Sequence, residues 1–212
     1  MLKLSGTLVL LLVACACSRD RLRAGQTDML TADDFSWDEF FWTTKATLAC
    51  WAGFQSRGGP YGAQDSAAPS AGEVTIVFAP EGRDASPLRD EELSLINWAI
   101  SEQSALRDSA LEGLLTRYGA MRAEALEWLE QPDDMPPVES VDRFRDLIGL
   151  HSVNVHQISK GGVPYVGLEF GCMWDPEHGL GILMHGTRVV EVGGADTAIL
   201  LWIARQDAER SK

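Results

Sequence analysis

The sequence lacks the short motifs that mark many well-characterised catalytic centres. It contains no HExxH motif, no CxxC pair, no GxSxG motif, no calcium loop and no glycine-rich phosphate loop. These absences argue against zinc proteases, thiol redox proteins, serine hydrolases and P-loop nucleotide enzymes. No cofactor and no dedicated metal site are therefore predicted.

Positive charge is also scarce. The chain has 18 Lys and Arg against 31 Asp and Glu, which gives a net charge of −13 at pH 7, and no Lys/Arg-rich cluster interrupts the acidic bias. Because nucleic-acid binding needs a basic surface, nucleic acid is not expected as a partner. The acidic excess fits a cationic partner or simple solubility.

The amino terminus has the layout of a secretory signal. Lys3 precedes a short apolar run over residues 4–14, which is too short to span a bilayer as a stable helix, and the chain then turns polar. The residues before Cys15 resemble a bacterial lipobox, so residues 1–14 are predicted to be a lipoprotein-type signal peptide and Cys15 the lipidated first residue. The protein would then be exported and anchored to a bacterial membrane.

Two alternatives to lipidation stay open. One is an ordinary secretory signal that is cleaved close to Ala14 or Ala16, and the other is a cytoplasmic protein in which the apolar run is a buried strand. Residues 15–33 are polar and irregular, which favours a flexible tether. A single domain is predicted over residues 34–208, because 212 residues with 45% hydrophobic side chains suffice for one core.

The pattern of the domain predicts an α+β fold. Apolar strands are expected within residues 35–54 and 73–78, whereas residues 57–72, rich in Gly, Ser, Ala and Pro, are expected to be a mobile loop. A helical pattern runs from Ser86-Pro87 to about residue 129, with a break near Gln103 or Gly119. The sequence thus predicts an antiparallel sheet, built from N-terminal and C-terminal strands, packed against a central helical segment and a C-terminal helix.

Residues 152–170 predict a β-hairpin with one apolar and one polar face. Apolar residues alternate with polar ones, and a turn at residues 159–162 places Val155 opposite Val166 and His156 opposite Tyr165. The polar face also carries Glu169. This face is interpreted as either solvated or functional.

A turn rich in polar side chains follows the hairpin. Trp174, Asp175, Glu177 and His178 lie within five residues and suggest ligand or metal binding, or proton transfer. The alternative is that the carboxylates only hold the turn's own backbone N–H groups. Trp174 itself is interpreted as either a core residue or an exposed ligand contact.

The cysteines Cys50 and Cys172 lie in apolar contexts, where a disulfide and two buried thiols are both compatible with the sequence. The end of the chain predicts two more strands over residues 180–184 and 188–192. A last helix, with Ile199, Trp202 and Ile203 as its buried stripe, is expected to follow.

The C-terminal region resembles a widespread bacterial domain family of unknown function. The resemblance rests on the motif GxEFGCxWDxEHGxG over residues 167–181 and on RVVEVGGADT over residues 188–197, and it extends over about residues 37–207. It implies the same order of strands, helices and a strand-rich end. The family has no established reaction, so the resemblance implies no activity.

The favoured hypothesis is a non-catalytic module that binds a protein or a small ligand. It uses the polar hairpin face and the following turn, with these expected ligand-binding residues: His156, Tyr165, Glu169, Trp174, Asp175, Glu177 and His178. The alternative is a metal-binding protein or metal-dependent hydrolase that uses the region from Glu169 to His185. Binding is favoured over catalysis because no organised nucleophile, base and oxyanion site can be identified.

Overall fold

The computed structural model describes residues 29–57 and 64–210. The predicted signal peptide, Cys15 and most of the predicted tether lie outside the described residues. Leu30 lies within the segment assigned to the tether, yet its backbone N–H donates to Oδ1 of Asn97 at 2.8 Å and its carbonyl accepts from Nδ2 of Asn97 at 2.9 Å. Contacts with the domain therefore begin at Leu30.

In the described chain, two helices lie between an N-terminal and a C-terminal group of strands, and a third helix follows the last strand. The strands are β1 (Ser36–Trp37), β2 (Trp42–Thr47), β3 (Gln55–Arg57), β4 (Gln64–Pro69), β5 (Glu73–Phe78), β6 (Ile148–Lys160), β7 (Val163–Cys172), β8 (Leu180–His185) and β9 (Arg188–Gly193). The α-helices are α1 (Asp90–Ser101), α2 (Gln103–Ala125) and α3 (Leu201–Arg210). Short 3-10 turns connect several of these elements.

Seven of the strands form one sheet in the order β1-β2-β5-β6-β7-β8-β9. All neighbours in it are antiparallel except β5 and β6, which are parallel. A parallel pair needs a crossover connection, and α1 and α2 lie in that connection. The predicted α+β fold with a mostly antiparallel sheet is confirmed.

Both faces of the sheet are covered where its C-terminal strands lie. Ile76, Val153, Val166 and Ile182 are at most 3% exposed and belong to the main core together with buried residues of α1 and α2. On the opposite face, Ile203 of α3 packs with other buried residues in a second, smaller cluster. The polar face of the predicted hairpin is thus an inner layer of the protein.

The register of β6 and β7 agrees with the prediction in the middle of the hairpin and differs near its turn. Val155 pairs with Val166 as predicted, but the next pair is Ser159 with Pro164. Three residues of β6 therefore oppose one residue of β7, which is a β-bulge. The predicted pairing of His156 across from Tyr165 falls in this bulge.

The helical segment begins later than predicted. α1 starts at Asp90, because the carbonyls of Ser86 and Pro87 accept hydrogen bonds from the Arg83 guanidinium and are not used in a helix. The predicted break occurs at Glu102, between α1 and α2.

Two other expectations are corrected, and the alternative that the sequence left open for the cysteines is decided. Residues 57–72 contain β4, so this segment is not only a loop. Trp202 is 55% exposed although Ile203 beside it is buried, since only one stripe of α3 faces the sheet. Cys50 and Cys172 are not joined by a disulfide, and burial raises the pKa of the Cys50 thiol to about 11.

Candidate functional site

The polar face of β6 and β7 is sealed by the chain that follows β9. His156 and Tyr165 are fully buried. A Cβ placed on Gly167 would lie 1.8 Å from the carbonyl oxygen of Ala198, and one on Gly181 would lie 2.4 Å from the carbonyl oxygen of Gly194. Only glycine leaves room for the backbone of residues 194–198 to approach the sheet this closely.

His156 binds this covering segment directly. Its Nε2 lies 3.0 Å from the carbonyl oxygen of Ala198, and because a carbonyl only accepts, Nε2 carries the proton and donates. Its Nδ1 is buried and has no hydrogen-bond partner among the described residues. Desolvation lowers the pKa of His156 to about 4, so the ring is neutral near pH 7.

Tyr165 connects the sheet with α3. Its hydroxyl donates to Oδ2 of Asp207 at 2.8 Å, and Arg188 donates to the same oxygen at 2.6 Å. Its ring stacks on His185, with 4.6 Å between the ring centroids. Burial, together with the neighbouring carboxylate, raises the pKa of Tyr165 to about 12. Through these contacts Tyr165 helps to hold α3 against the sheet.

Glu169 lies at a half-buried position on the same face. Its carboxylate accepts from the hydroxyl of Ser152 at 2.6 Å, and that hydroxyl accepts from Nδ2 of Asn154 at 2.8 Å. Ser152 and Glu169 are cross-strand partners, so the pair links β6 and β7. His156, Tyr165 and Glu169 therefore each have a partner within the fold.

The turn at residues 174–178 lies elsewhere, on the surface. Trp174 is 5% exposed and packs edge-to-face on Tyr118, with 5.6 Å between ring centroids, so it is the core residue of the two alternatives. Oδ1 of Asp175 accepts from the backbone N–H of His178 at 2.9 Å and lies 3.0 Å from its Nδ1. Asp175 thus holds its own turn, as the alternative interpretation expected, whereas Glu177 is exposed.

Two adjoining cavities border this turn. They have volumes of about 480 and 590 Å³, and they share Trp128, Trp174 and Asp175. We call the two together the Trp128 groove. Its first cavity extends between α2 and the sheet, and its second lies over the turn; the remaining residues of the second are Glu130, Pro176, Glu177 and His178.

Trp128 is the most exposed aromatic residue of this groove. It follows the C-terminal end of α2 and is 58% exposed, while Trp174 at the base of the groove is buried. Met121 and Met135 line the first cavity, where the half-buried Met121 adds flexible apolar surface and Met135 is fully buried. The groove therefore combines aromatic and adaptable apolar walls, which suit ligand binding.

The charge around the groove is mainly negative. Glu124 and Arg117 line the first cavity, where they offset one another in charge. The second cavity has the carboxylates of Glu130, Asp175 and Glu177, and His178 is its only basic group among the described lining residues. The second cavity is consequently the more acidic of the two.

The structure brings together four of the seven predicted ligand-binding residues, namely Trp174, Asp175, Glu177 and His178. The other three lie on the polar face of β6 and β7, where His156 contacts the covering segment, Tyr165 contacts α3 and Glu169 contacts Ser152. Trp128 and Glu130 were missed in the sequence because nothing in a helical pattern indicates which distant turn the end of the helix will meet. In the part of the chain that the structure describes, no three His, Cys, Asp or Glu side chains converge as a metal site would require.

The fold and the groove define an α+β domain with one sheet covered on both faces and a ligand-sized surface cavity. In the comparison with known families, residues 63–200 match a domain of unknown function (DUF6985), and the chain belongs to this family. The match leaves out β1, β2, β3 and all of α3. No curated protein and no solved structure matches the chain.

None of the helices in the described part of the chain is both long enough and apolar enough to cross a bilayer.

Proposed function

We propose that this domain is a non-catalytic binding module that holds a protein or small ligand in the Trp128 groove. The observation that carries the proposal is Trp128, a large aromatic side chain that stays 58% exposed between two cavities of ligand-binding size. Exposing an indole is unfavourable in water, and aromatic side chains of this kind anchor ligands and partners.

The partners of the potential catalytic groups favour binding over catalysis. His156 and His185 contact carbonyl oxygens, and His178 contacts a carboxylate. The thiol of Cys172 is buried and donates to the carbonyl of Asp175. Nucleophilic catalysis needs a base within hydrogen-bonding reach of the nucleophile, whereas this contact of the Cys172 thiol is with a carbonyl oxygen.

The proposal extends to the place where the module acts. The lipobox-like residues before Cys15 support export and attachment to a bacterial membrane through a lipid on the Cys15 sulfur. Attachment would keep the groove close to a membrane surface.

Lipidation is tested by fractionating bacterial cells that express the full chain. The Cys15→Ala variant is expected to move from the membrane to the soluble fraction, since a missing thiol cannot accept the lipid. Cys17→Ala is the matched control and should stay with the membrane. If Cys15→Ala still partitions with the membrane, the lipid anchor is refuted.

Binding in the groove is tested by nuclear magnetic resonance on protein with ¹⁵N-labelled tryptophan. The seven indole N–H signals are recorded while small amines, amino acids, oligosaccharides and carboxylic acids are added. A ligand of the groove should shift the signals of Trp128 and Trp174. Trp202 is the internal control, because it is 55% exposed but lies on α3. If no compound moves Trp128 selectively, the groove is not the binding site.

A further inference from the structure

We propose that the second cavity of the Trp128 groove accepts a cationic side chain, the ammonium or guanidinium of a Lys- or Arg-containing polypeptide. This inference rests on the proposed function and adds the chemistry of the ligand. It follows from the arrangement of aromatic and acidic groups in that cavity.

The first argument is the set of unpaired carboxylates. Asp175 is already engaged with His178 through Oδ1. Glu130 and Glu177 line the same cavity, are exposed, and have no salt-bridge partner among the described residues. Two carboxylates that flank a cavity without their own cation are complementary to a positive group from a ligand.

The second argument is the aromatic wall. An indole has a negative π-face, and Trp binds cations better than the other aromatic side chains. Trp128 lines the same cavity as Glu130 and Glu177. A Lys or Arg side chain can lay its apolar methylene groups along the indole while its charged end reaches a carboxylate.

The third argument is the charge of the whole chain. A net charge of −13 attracts a basic polypeptide over a distance and disfavours an anionic one. The adjoining first cavity, with its methionines and an Arg–Glu pair of offsetting charge, gives room for neighbouring residues of the same polypeptide. A neutral sugar would also stack on Trp128, but it would leave the carboxylates without a counter-charge.

The experiment compares tetralysine with a tetralysine in which every side-chain amine is acetylated. Both have the same backbone, so they differ mainly in charge. Tetralysine is expected to shift the Trp128 indole signal and leave that of Trp202 in place. Calorimetry should show that acetylation weakens binding about tenfold or more, since it removes each cation and thus the cation–π and ionic contacts.

Three variants test whether tetralysine binds in the groove or is only attracted by the negative charge of the whole protein. Trp128→Ala should weaken tetralysine binding about tenfold, and Glu177→Gln about threefold, because each removes one of the two recognition elements. Glu91→Gln, at an exposed position on α1 outside both cavities, is the matched control and should change the affinity little. Equal weakening by all three variants would overturn the inference.

The remaining outcomes distinguish this inference from the proposed function. If acetylated tetralysine, or a neutral sugar, shifts Trp128 while tetralysine binds no more tightly, the groove binds ligands but the cationic assignment is wrong. If neither tetralysine nor any compound of the screen shifts Trp128, both the assignment and the proposed function fail.

Discussion

Two polar regions of this protein look alike in sequence and differ in structure. His156 lies in a hairpin and is fully buried under residues 194–198, whereas the side chain of His178, in the turn that follows the hairpin, is 75% exposed at the Trp128 groove. Both histidines have an oxygen as their partner. The two histidines therefore differ in access to solvent, and also in their partner, which is a carbonyl for His156 and a carboxylate for His178.

This difference shows what a polar strand face can be used for. The side chain of His156 bonds to the covering segment, that of Tyr165 to α3 and that of Ser152 to the neighbouring strand. In the turn, Asp175 satisfies the backbone but Glu177 remains available. The first region holds the fold together, and the second is the one that we propose for ligand binding.

The largest expected effect separates the two tryptophans of the groove. Trp174→Ala should lower the free energy of unfolding by about 3–5 kcal/mol, because a buried aromatic leaves a cavity. Trp128→Ala should lower it by less than about 0.5 kcal/mol, because that side chain is largely in solvent. Urea denaturation measures both. Similar losses in the two variants would mean that Trp128 is also part of the core.

A smaller effect is expected from filling the space under the covering segment. Gly167→Ala places a methyl group where the Ala198 carbonyl lies 1.8 Å away, so the segment must move at a cost of about 3 kcal/mol. His156 should then become reactive toward diethyl pyrocarbonate. The matched control is Gly119→Ala in α2, where nothing lies within 4 Å and alanine should stabilise the helix by up to about 1 kcal/mol.

The stability of Gly167→Ala and the reactivity of His156 in it show whether the polar face is sealed. If Gly167→Ala is as stable as the parent protein and His156 stays unreactive, residues 194–198 are not seated tightly on the sheet. The polar face would then be accessible, and His156 would return as a candidate for ligand binding.

The sequence was sufficient for the fold class and for the middle of the hairpin. Alternating apolar residues set the pairing of Val153 with Leu168 and of Val155 with Val166, because a slip by one residue would turn them away from the core. The same pattern could not predict the bulge that follows Val155, since a bulge changes the count of residues without changing their polarity.

Only the part of the candidate site that depends on short-range contacts could be predicted from the sequence. Short-range turn chemistry identified Asp175 and His178, which are three residues apart and contact each other. Trp128 and Trp174 are far apart in sequence, and only the packing of α2 on the sheet brings them to one cavity. The glycines of β7 and β8 did carry a signal for the covered face, since glycine within a strand often marks a close backbone approach.

The smallest of these effects concerns the buried histidine and acid stability. Burial lowers the pKa of His156 from 6.5 to about 4, against the opposing influence of the Glu81 carboxylate. Between these values the unfolded chain binds a proton that the folded protein does not, so stability is lost as the pH falls below about 6.5. The contribution of this one group amounts to about 2 kcal/mol at pH 5.

The measurement is the free energy of unfolding at pH 8 and at pH 5, for the parent protein and two variants. In His156→Gln the loss on acidification should be smaller by about 2 kcal/mol, since glutamine cannot titrate. In His178→Gln the part of the decrease in unfolding free energy that His156 causes on acidification should remain, because the substitution leaves the buried ring in place. Identical pH dependence in the parent protein and His156→Gln would mean that the His156 ring is not sealed from solvent. The distinction between a polar face that supports the fold and a turn that faces the groove would then fail.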